Sequence, residues 1–264
     1  MTARPLLASL LALTLTPLAA HAQGFDLSKA RMVDLTHPFN SETVYWPTAP
    51  SGFGYASTFR GITPGGWFYS AGAFQAPEHG GTHLDAPVHF REGGLTADRL
   101  PLSSLIAPVV VIDVSAQASA DHDYELQPSD VASFETRSGP ITPGTIVLLR
   151  TGWSTRWPDR LQYLGDDTPG ETSNLHFPGF GAEAARLLVE QRRVAAIGLD
   201  TASLDPGRSP DFPVHRIAGA AGIPGFENLD RLDQLPARGA WLVALPMKIE
   251  DGTGGPLRAV ALLP

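Results

Sequence analysis

The stretch His79-Gly80-Gly81-Thr82-His83-Leu84-Asp85-Ala86-Pro87-Val88-His89-Phe90 places three imidazoles and one carboxylate close together in the chain. Imidazole nitrogen and carboxylate oxygen are ligands that borderline cations such as zinc and manganese accept. If the chain is extended between His83 and Asp85, the two side chains share one face, because strand side chains alternate. Gly80 and Gly81 let the backbone turn, so that His79 reaches the same point. The spacing predicts a metal site, with a surface loop that merely holds histidines as the alternative.

The composition indicates a globular protein with a substantial core. Of the 264 residues, 43% are hydrophobic and 17% are charged. A formal net charge of −8 argues against a nucleic-acid-binding surface, which needs clustered Lys and Arg. The chain has no cysteine, which excludes thiol nucleophiles and thiolate metal sites.

The N-terminal residues have the pattern of a secretory signal peptide. Arg4 precedes an apolar run from Leu6 to Leu18, and Ala20-His21-Ala22 forms an A-x-A cleavage site. The run is too short and too interrupted to span a bilayer, so we expect no membrane anchor. The prediction is a signal peptide over 1–22, followed by a single domain over 23–264 of a periplasmic or secreted protein. A buried N-terminal helix is the alternative.

Several apolar runs further along the chain predict strands. We expect a short strand over 32–35 and buried strands over 108–114, 145–150, 194–200, 241–246 and 258–263. Helices are expected over 128–134, capped by Ser129 or Asp130, and over 182–193. Gly179, Gly181 and Ala184 spell G-x-G-x-x-A, but no strand precedes them, so we reject a dinucleotide site. Strands outnumber helices, and no linker separates two cores.

Aromatic residues before the histidine cluster are candidates for the core or for a substrate pocket. Trp46 lies in Val44-Tyr45-Trp46-Pro47 and could stack on an aromatic substrate or be an ordinary core tryptophan. Trp67-Phe68-Tyr69 and Phe74 are expected on strands, in the core first and in a pocket second. The sequence assigns no role to His176.

A metal site built from one loop would be incomplete, and two distant residues could complete it. His215 follows Pro213 and Val214, and Glu227 precedes Asn228. Each is weak evidence alone, because a histidine after a proline is more often a loop residue and an isolated glutamate is usually solvated.

The histidine-rich string resembles the H-x-G-T-H-x-D-x-P-x-H signature of the metal-dependent cyclase hydrolases, which include bacterial kynurenine formamidases and isatin hydrolases. Further motifs follow in the family's order: Asp200-Thr201-Ala202-Ser203-Leu204-Asp205, then His215, then Glu227-Asn228-Leu229. Pro246-Met247-Lys248 and the segment 252–259 are similar to the family's P-x-K and G-T-G-S-P-x-R-A motifs, with Gly255 where serine is commoner. The resemblance covers nearly all of the chain after residue 22.

This resemblance implies an α/β fold with a mixed, β-barrel-like core and flanking helices, in a homodimer. It implies two divalent ions per subunit, Zn2+ or Mn2+. The first ion would be held by His79, His83 and Asp85, and the second by a bridging Asp85 with His215 and Glu227. Asp200 and Asp205 would orient ligand imidazoles. His89 would act first as the general base and then as the general acid. The alternative is that His89 is a third ligand of one of the metal ions.

The chemistry that these residues imply is hydrolysis of a C–N bond. A metal ion lowers the pKa of water to roughly 7, which makes a nucleophile at neutral pH. The activity nearest the resemblance is arylformamidase, which splits N-formyl-kynurenine into kynurenine and formate. Opening of a small cyclic aromatic amide such as isatin is the second candidate and suits an exported enzyme better. A non-catalytic metal-binding or ligand-binding protein is the alternative of another class. No G-x-S-x-G motif supports a serine nucleophile.

Overall fold

The computed structural model describes residues 28–264, so the predicted signal peptide lies outside the described residues. The strands are β1 Arg31–Asp34, β2 Gly54–Ile62, β3 Phe68–Gln75, β4 His83–Asp85, β5 Ile106–Asp113, β6 Glu125–Leu126, β7 Ile146–Arg150, β8 Gly179–Phe180, β9 Ala196–Leu199, β10 Gly225–Glu227, β11 Trp241–Pro246 and β12 Gly254–Leu263. The α-helices are α1 Ser115–Ala120, α2 Pro128–Ser138, α3 Arg160–Leu164, α4 Ala182–Arg186 and α5 Pro213–Ala221. Among the helices of residues 28–264, none is long and apolar enough to cross a membrane.

Seven strands close into a mixed barrel in the order β12-β11-β5-β7-β9-β10-β4, and β4 pairs again with β12. The run β5, β7, β9 and β10 is parallel, and the remaining pairs are antiparallel. Along one edge, β12 pairs first with β4 through Gly254–Pro256 and then with β1 through Val260–Leu263. The predicted barrel-like core with flanking helices is confirmed.

The central residues of the parallel strands are apolar because both faces of the sheet are buried there. On β5, Val109 and Val111 join a cluster that links the barrel strands to one another. The alternate residues Val110 and Ile112 join a second cluster, which contains residues of α2, α4 and α5. This arrangement explains why the strands near 108–114, 145–150 and 194–200 could be predicted from composition alone.

Local details differ from the sequence predictions. Helix α2 is capped by Gln127 rather than by Ser129 or Asp130, although the Asp130 carboxylate accepts the Gln127 N–H at 2.8 Å. The helix predicted over 182–193 begins as α4 and continues as a π-helical turn, Leu187–Gln191. Gly179 lies on the short strand β8 against the backbone of Pro206, where a Cβ would be 2.5 Å from the proline nitrogen. Close packing therefore explains this glycine.

Strands β2 and β3 form a hairpin that pairs only with itself in the described chain. The prediction that its aromatic side chains belong to the core is wrong. Trp67, Phe68, Tyr69 and Phe74 are 63%, 60%, 52% and 54% exposed. The strand is present as predicted, but it is not part of the barrel, so neither of its faces meets the core.

Candidate metal centre

Three barrel strands and one helix bring the predicted ligands together. Strand β4 runs between β10 and β12, and its register sets His83 opposite Glu227 and Asp85 opposite Gly254. All three residues of β4 are buried. His215 lies in the first turn of α5 and is also buried. Barrel closure therefore joins residues that are distant in the chain.

Two glycines make the turn that leads into β4. Gly80 and Gly81 have φ values of 152° and 59°, which side chains rarely adopt. A Cβ at Gly80 would lie 2.1 Å from the Tyr45 ring, and one at Gly81 would lie 2.4 Å from Phe39. The turn that the sequence predicts here is confirmed, and the close packing adds a second reason for glycine.

The centre of the cluster consists of two imidazoles facing two carboxylates. His215 Nε2 lies 3.0 Å from Asp85 Oδ2 and 3.0 Å from Glu227 Oε1. His83 Nε2 lies 3.3 Å from Asp85 Oδ1 and 3.4 Å from Glu227 Oε2. Each imidazole thus faces one oxygen of each carboxylate, with all four residues buried.

The other ring nitrogen of each imidazole is held by an acceptor. His83 Nδ1 donates to the Gly81 carbonyl at 2.9 Å, and His215 Nδ1 donates to the Asp205 carboxylate at 2.6 Å. Since both partners accept only, Nδ1 bears the hydrogen, and in the neutral ring Nε2 carries a lone pair. Two lone pairs therefore point at four carboxylate oxygens. That arrangement is repulsive unless protons or cations lie between them.

Without a cation, the positive charge must come from the imidazoles. Burial opposes a charge on His215, but hydrogen bonds to Asp205, Asp85 and Glu227 outweigh it and raise its pKa well above the ordinary value. Burial, together with the charge of Asp85, raises the pKa of the Glu227 carboxyl. Such a donor set fits divalent cations, which would balance both carboxylates and leave the imidazoles neutral.

His79 and His89 lie beside this centre. His79 Nδ1 is 2.6 Å from Asp85 Oδ1. The His89 ring stacks on His79 with centroids 3.8 Å apart and an interplanar angle of 17°. His89 remains exposed on one side. Partial burial lowers its pKa to about 4 against the attraction of Asp85, so the imidazole is neutral at pH 7.

The ligand atoms that lie within 4.8 Å of one another form two groups, His79–Asp85–His89 and His83–Asp85–Glu227. Asp85 belongs to both, as a bridging ligand would. The groups differ from the predicted ligand sets in placing His83 with Glu227 and in bringing His89 to His79. The assignment of each residue to an ion stays a prediction.

The two aspartates that were expected to orient imidazoles behave differently. Asp205 Oδ2 contacts His215 Nδ1, and its other oxygen accepts the Val214 N–H at 2.8 Å. The prediction for Asp200 is wrong, because its carboxylate accepts Thr151 N, Thr151 Oγ1 and Gly152 N at 2.8, 2.6 and 2.8 Å. These bonds fasten the end of β9 to the end of β7 and reach no imidazole in the described chain.

Asn228, which the sequence reasoning did not single out, supports the turn before β4. Its Nδ2 donates to the Gly81 carbonyl at 2.8 Å, and its Oδ1 accepts the Tyr163 hydroxyl at 2.9 Å. The available signal was its position next to Glu227 in the E-N-L motif. His176, to which no role was assigned, pairs with Asp123 at the surface, with 2.9 Å between Nδ1 and Oδ1.

A cavity of about 350 Å³ opens onto the cluster. Its apolar walls include Val44, Tyr45, Trp46, Phe90 and Phe212. The Trp46 ring packs edgewise against Phe212, with centroids 5.9 Å apart. Trp46 thus lines the cavity, and stacking on a substrate stays a prediction. Among the residues lining this cavity in the described chain there is no Lys or Arg.

Comparisons with known proteins identify relatives of this chain. A family model described as "Putative cyclase" matches residues 33–206. The chain is 40% identical over 196 residues to isatin hydrolase of Roseibium aggregatum, covering 71% of this chain and 72% of that protein. It is 32% identical over 194 residues to kynurenine formamidase of Salinibacter ruber, covering 72% and 78%.

Solved structures of isatin hydrolases have a fold similar to that of this chain. Isatin hydrolase A from Ralstonia solanacearum is similar with a TM-score of 0.81 and 34% identity, covering 97% of this chain and 100% of that one. An isatin hydrolase bound to the product analogue thioisatinate has a TM-score of 0.82 and 32% identity, covering 90% and 94%.

Proposed function

The chain belongs to the cyclase family, and on that premise we propose that it is a metal-dependent hydrolase of a small aromatic amide. One observation carries the proposal: the lone pairs of two buried imidazoles, His83 and His215, are aimed at two buried carboxylates. Burial of this arrangement at the floor of a cavity is energetically unfavourable unless cations bind there.

The residues that would hold divalent ions are His79, His83, Asp85, His215 and Glu227, with Asp85 shared. This nitrogen and oxygen donor set suits zinc or manganese. A bound ion supplies an acidified water for attack and positive charge for the developing oxyanion.

The chain's own residues supply the proton transfer and the binding surface. His89 is neutral at pH 7 and accessible from the cavity, so one of its ring nitrogens can accept a proton and deliver it to the leaving nitrogen. Trp46, Phe90 and Phe212 offer apolar and aromatic faces to a flat substrate. These walls also reduce the access of bulk water to the reacting carbonyl.

We propose a fused-ring cyclic amide of the isatin type as the preferred substrate. Within residues 28–264, no Lys or Arg lines the cavity to pair with the carboxylate of an amino-acid substrate, whereas a neutral bicyclic ring needs none. Greater similarity to an isatin hydrolase, at 40% against 32% identity, supports the same choice. N-formyl-kynurenine is the second candidate, favoured by the many kynurenine formamidases among the relatives.

The test combines metal analysis with a substrate comparison. Purified protein should contain zinc or manganese, and kcat/KM should be at least about tenfold higher on isatin than on N-formyl-kynurenine, which corresponds to about 1.4 kcal/mol. A tenfold preference for N-formyl-kynurenine would reverse the substrate assignment. Protein that neither contains nor responds to metal would overturn the hydrolase proposal.

We also propose export, supported by Arg4, the apolar run and the Ala20-His21-Ala22 site. Expression in a Gram-negative host should give a periplasmic protein whose first residue is Gln23. Recovery of protein starting at Met1 from the cytoplasm would contradict export.

We further propose a homodimer formed through the β2–β3 hairpin. The strand register puts Tyr55, Ile62, Phe68 and Phe74 on one face of the hairpin, all more than half exposed. Arg60 is the single charged residue between 54 and 75. With about 150–250 Å² per aromatic side chain, the exposed parts of these four side chains amount to roughly 500 Å², more than half of the roughly 800 Å² that each partner of a standard interface buries. Phe59 and Tyr69 are also exposed, but the register places them on the opposite face.

Light scattering on eluting protein tests the dimer. The molar mass measured for the wild-type protein should be twice that of one chain. The double variant Ile62→Lys/Phe68→Lys should have the mass of a monomer. Leu102→Lys is the matched control, because Leu102 is 65% exposed and belongs to the turn Leu102–Ser104 rather than to the hairpin. A monomeric wild-type protein would exclude this interface.

A further inference from the structure

Glu78, Thr253 and His79 form a row of close polar contacts that ends at Asp85. Glu78 Oε2 lies 2.5 Å from Thr253 Oγ1 and accepts the Thr253 N–H at 3.1 Å. Thr253 Oγ1 lies 2.9 Å from His79 Nε2, and His79 Nδ1 lies 2.6 Å from Asp85 Oδ1. Neither Glu78 nor Thr253 is in the predicted ligand set, so their function is open.

The positions of the hydrogens follow from the partners. A carboxylate only accepts, so the single hydroxyl hydrogen of Thr253 points to Glu78. The hydroxyl oxygen must then accept from His79, which places a hydrogen on His79 Nε2. In the neutral ring the lone pair is on Nδ1, and it faces Asp85.

We infer that Glu78 and Thr253 are positioning residues that fix the tautomer of His79, so that His79 offers Nδ1 to a metal ion. This inference rests on the proposed metal-dependent function. His83 and His215, in contrast, are held by their Nδ1–H groups and offer Nε2. The three imidazoles thus face Asp85 through different nitrogen atoms, His79 through Nδ1 and the other two through Nε2.

The segment around Thr253 is built closely around His79. A Cβ at Gly254 would lie 2.6 Å from His79 Cε1, and one at Gly252 would lie 3.0 Å from Glu78 Oε1. The Thr253 carbonyl accepts the Ala86 N–H at 2.9 Å, just beyond β4. Pairing of β4 with β12 therefore fixes the threonine against the imidazole, and the bond does not depend on a free loop.

Holding the outer nitrogen of a metal-binding imidazole typically contributes 10- to 100-fold to metal affinity. The variant Thr253→Val keeps the shape and loses the hydroxyl. We expect its zinc dissociation constant, measured by competition with a chromophoric chelator, to rise by about 10- to 100-fold. Thr253→Ser retains the hydroxyl and should restore affinity to within about threefold of the wild-type value.

Thr96→Val is the matched control. Thr96 Oγ1 donates to Asp98 at 2.6 Å, and Asp98 also accepts the Asp251 N–H, which places Thr96 near the same turn. In the described part of the chain, no imidazole is hydrogen-bonded to the Thr96 side chain. This variant should bind zinc as the wild-type chain does. The melting temperatures of the metal-free proteins show whether each variant folds, and a Thr253→Val protein that fails to fold leaves the decision to the spectroscopic test below.

Wild-type protein that carries isotope-labelled histidine and is loaded with cadmium shows directly which ring nitrogen of each histidine binds the metal. Direct nitrogen–cadmium coupling in the NMR spectrum should occur at Nδ1 of His79 and at Nε2 of His83 and His215. Coupling at Nε2 of His79 would overturn the inference, as would unchanged zinc affinity in a folded Thr253→Val. If the wild-type protein binds no metal at all, the proposed function fails and not merely this assignment.

Discussion

The metal-site cluster and the β2–β3 hairpin are neighbours in the chain and opposites in chemistry. The cluster, which contains His83, Asp85, His215 and Glu227, is buried and charged. The hairpin ends at Gln75, just before the cluster begins, and it is exposed and almost uncharged. Each region has a deficit that the described chain does not supply. The cluster needs positive charge between its carboxylates, and the hairpin needs an apolar surface to cover it.

This comparison separates two kinds of incompleteness. A buried charge deficit must be met by something small enough to enter the cluster, such as a proton or a cation. An exposed apolar face can be met only by a large surface. The two deficits should therefore respond to different perturbations, and variants can show whether they are independent.

The largest expected effect comes from Asp85→Asn, which keeps the shape of the residue shared by both ligand groups. Metal content should fall to a small fraction per subunit, and kcat/KM should fall by about a thousandfold or more, since the lost charge stabilisation is worth several kcal/mol. Elemental analysis and the isatin assay give both values. Asp113→Asn, at the surface, is the control. Full metal content in Asp85→Asn would remove Asp85 from the ligand set.

His89→Ala should have the next largest effect. A general acid and base typically contributes 10²- to 10⁴-fold, so kcat should fall by about that factor. The metal content should be unchanged, because five other residues are proposed to hold the ions. Loss of metal would instead show that His89 is a ligand, as its closeness to His79 and Asp85 allows. Unchanged turnover would favour a protein that binds metal without using His89.

Removal of metal should affect the cluster and leave the hairpin interface intact. Loss of ions bound at about 100 times their dissociation constant costs about 2.7 kcal/mol of unfolding free energy, which lowers the melting temperature by several degrees. Light scattering of the chelated protein should still report a dimer. Conversely, Ile62→Lys/Phe68→Lys should keep its metal. Dissociation on chelation would show that the two regions are coupled.

The smallest effect concerns His37, a buried imidazole that has no carboxylate within hydrogen-bond distance among the residues that the structure describes. Burial lowers its pKa from 6.5 to about 4, opposed by Asp230, whose Oδ2 lies 4.0 Å away. Because the unfolded chain binds the proton more tightly, stability is fully present above pH 6.5 and falls as the pH drops toward 4. At pH 5 the loss corresponds to roughly 2 kcal/mol, which is less than the cost of removing metal.

The variant His37→Phe keeps the stacking against Trp157, whose ring lies 4.3 Å away. Chemical denaturation at several pH values should show a flatter loss of stability between pH 6.5 and 4 in the variant than in the wild-type protein. Parallel curves for the two proteins would contradict the lowered pKa of His37.

The predictions from sequence succeeded where local spacing determines the structure. The turn at Gly80 and Gly81 and the shared face of His83 and Asp85 follow from backbone geometry alone. The approach of His215 depends on barrel closure between distant segments, so only the family resemblance indicated it. Thr253 was missed because a threonine hydroxyl has many possible partners and spacing does not select one.

The hairpin shows a different limit. Large aromatic residues on alternating positions, such as Phe68 and Phe74, indicate that one face of a strand is covered. They do not indicate whether the cover belongs to the same chain, so these side chains were wrongly placed in the core. Asp200 was misjudged for a related reason, because a motif gives the order of its acidic residues and not the direction of their side chains.

Strand β4 lies between β10 and β12, and its second neighbour is made much later in synthesis than the strand itself. A polypeptide released before Gly254 would leave the amide and carbonyl groups on one side of β4 unpaired. A polypeptide released before Thr253 would also lack that threonine. Premature termination should therefore give fragments that aggregate and are sensitive to proteases, because an exposed strand edge pairs with other chains. Quality control of this protein would therefore depend on the completion of β12.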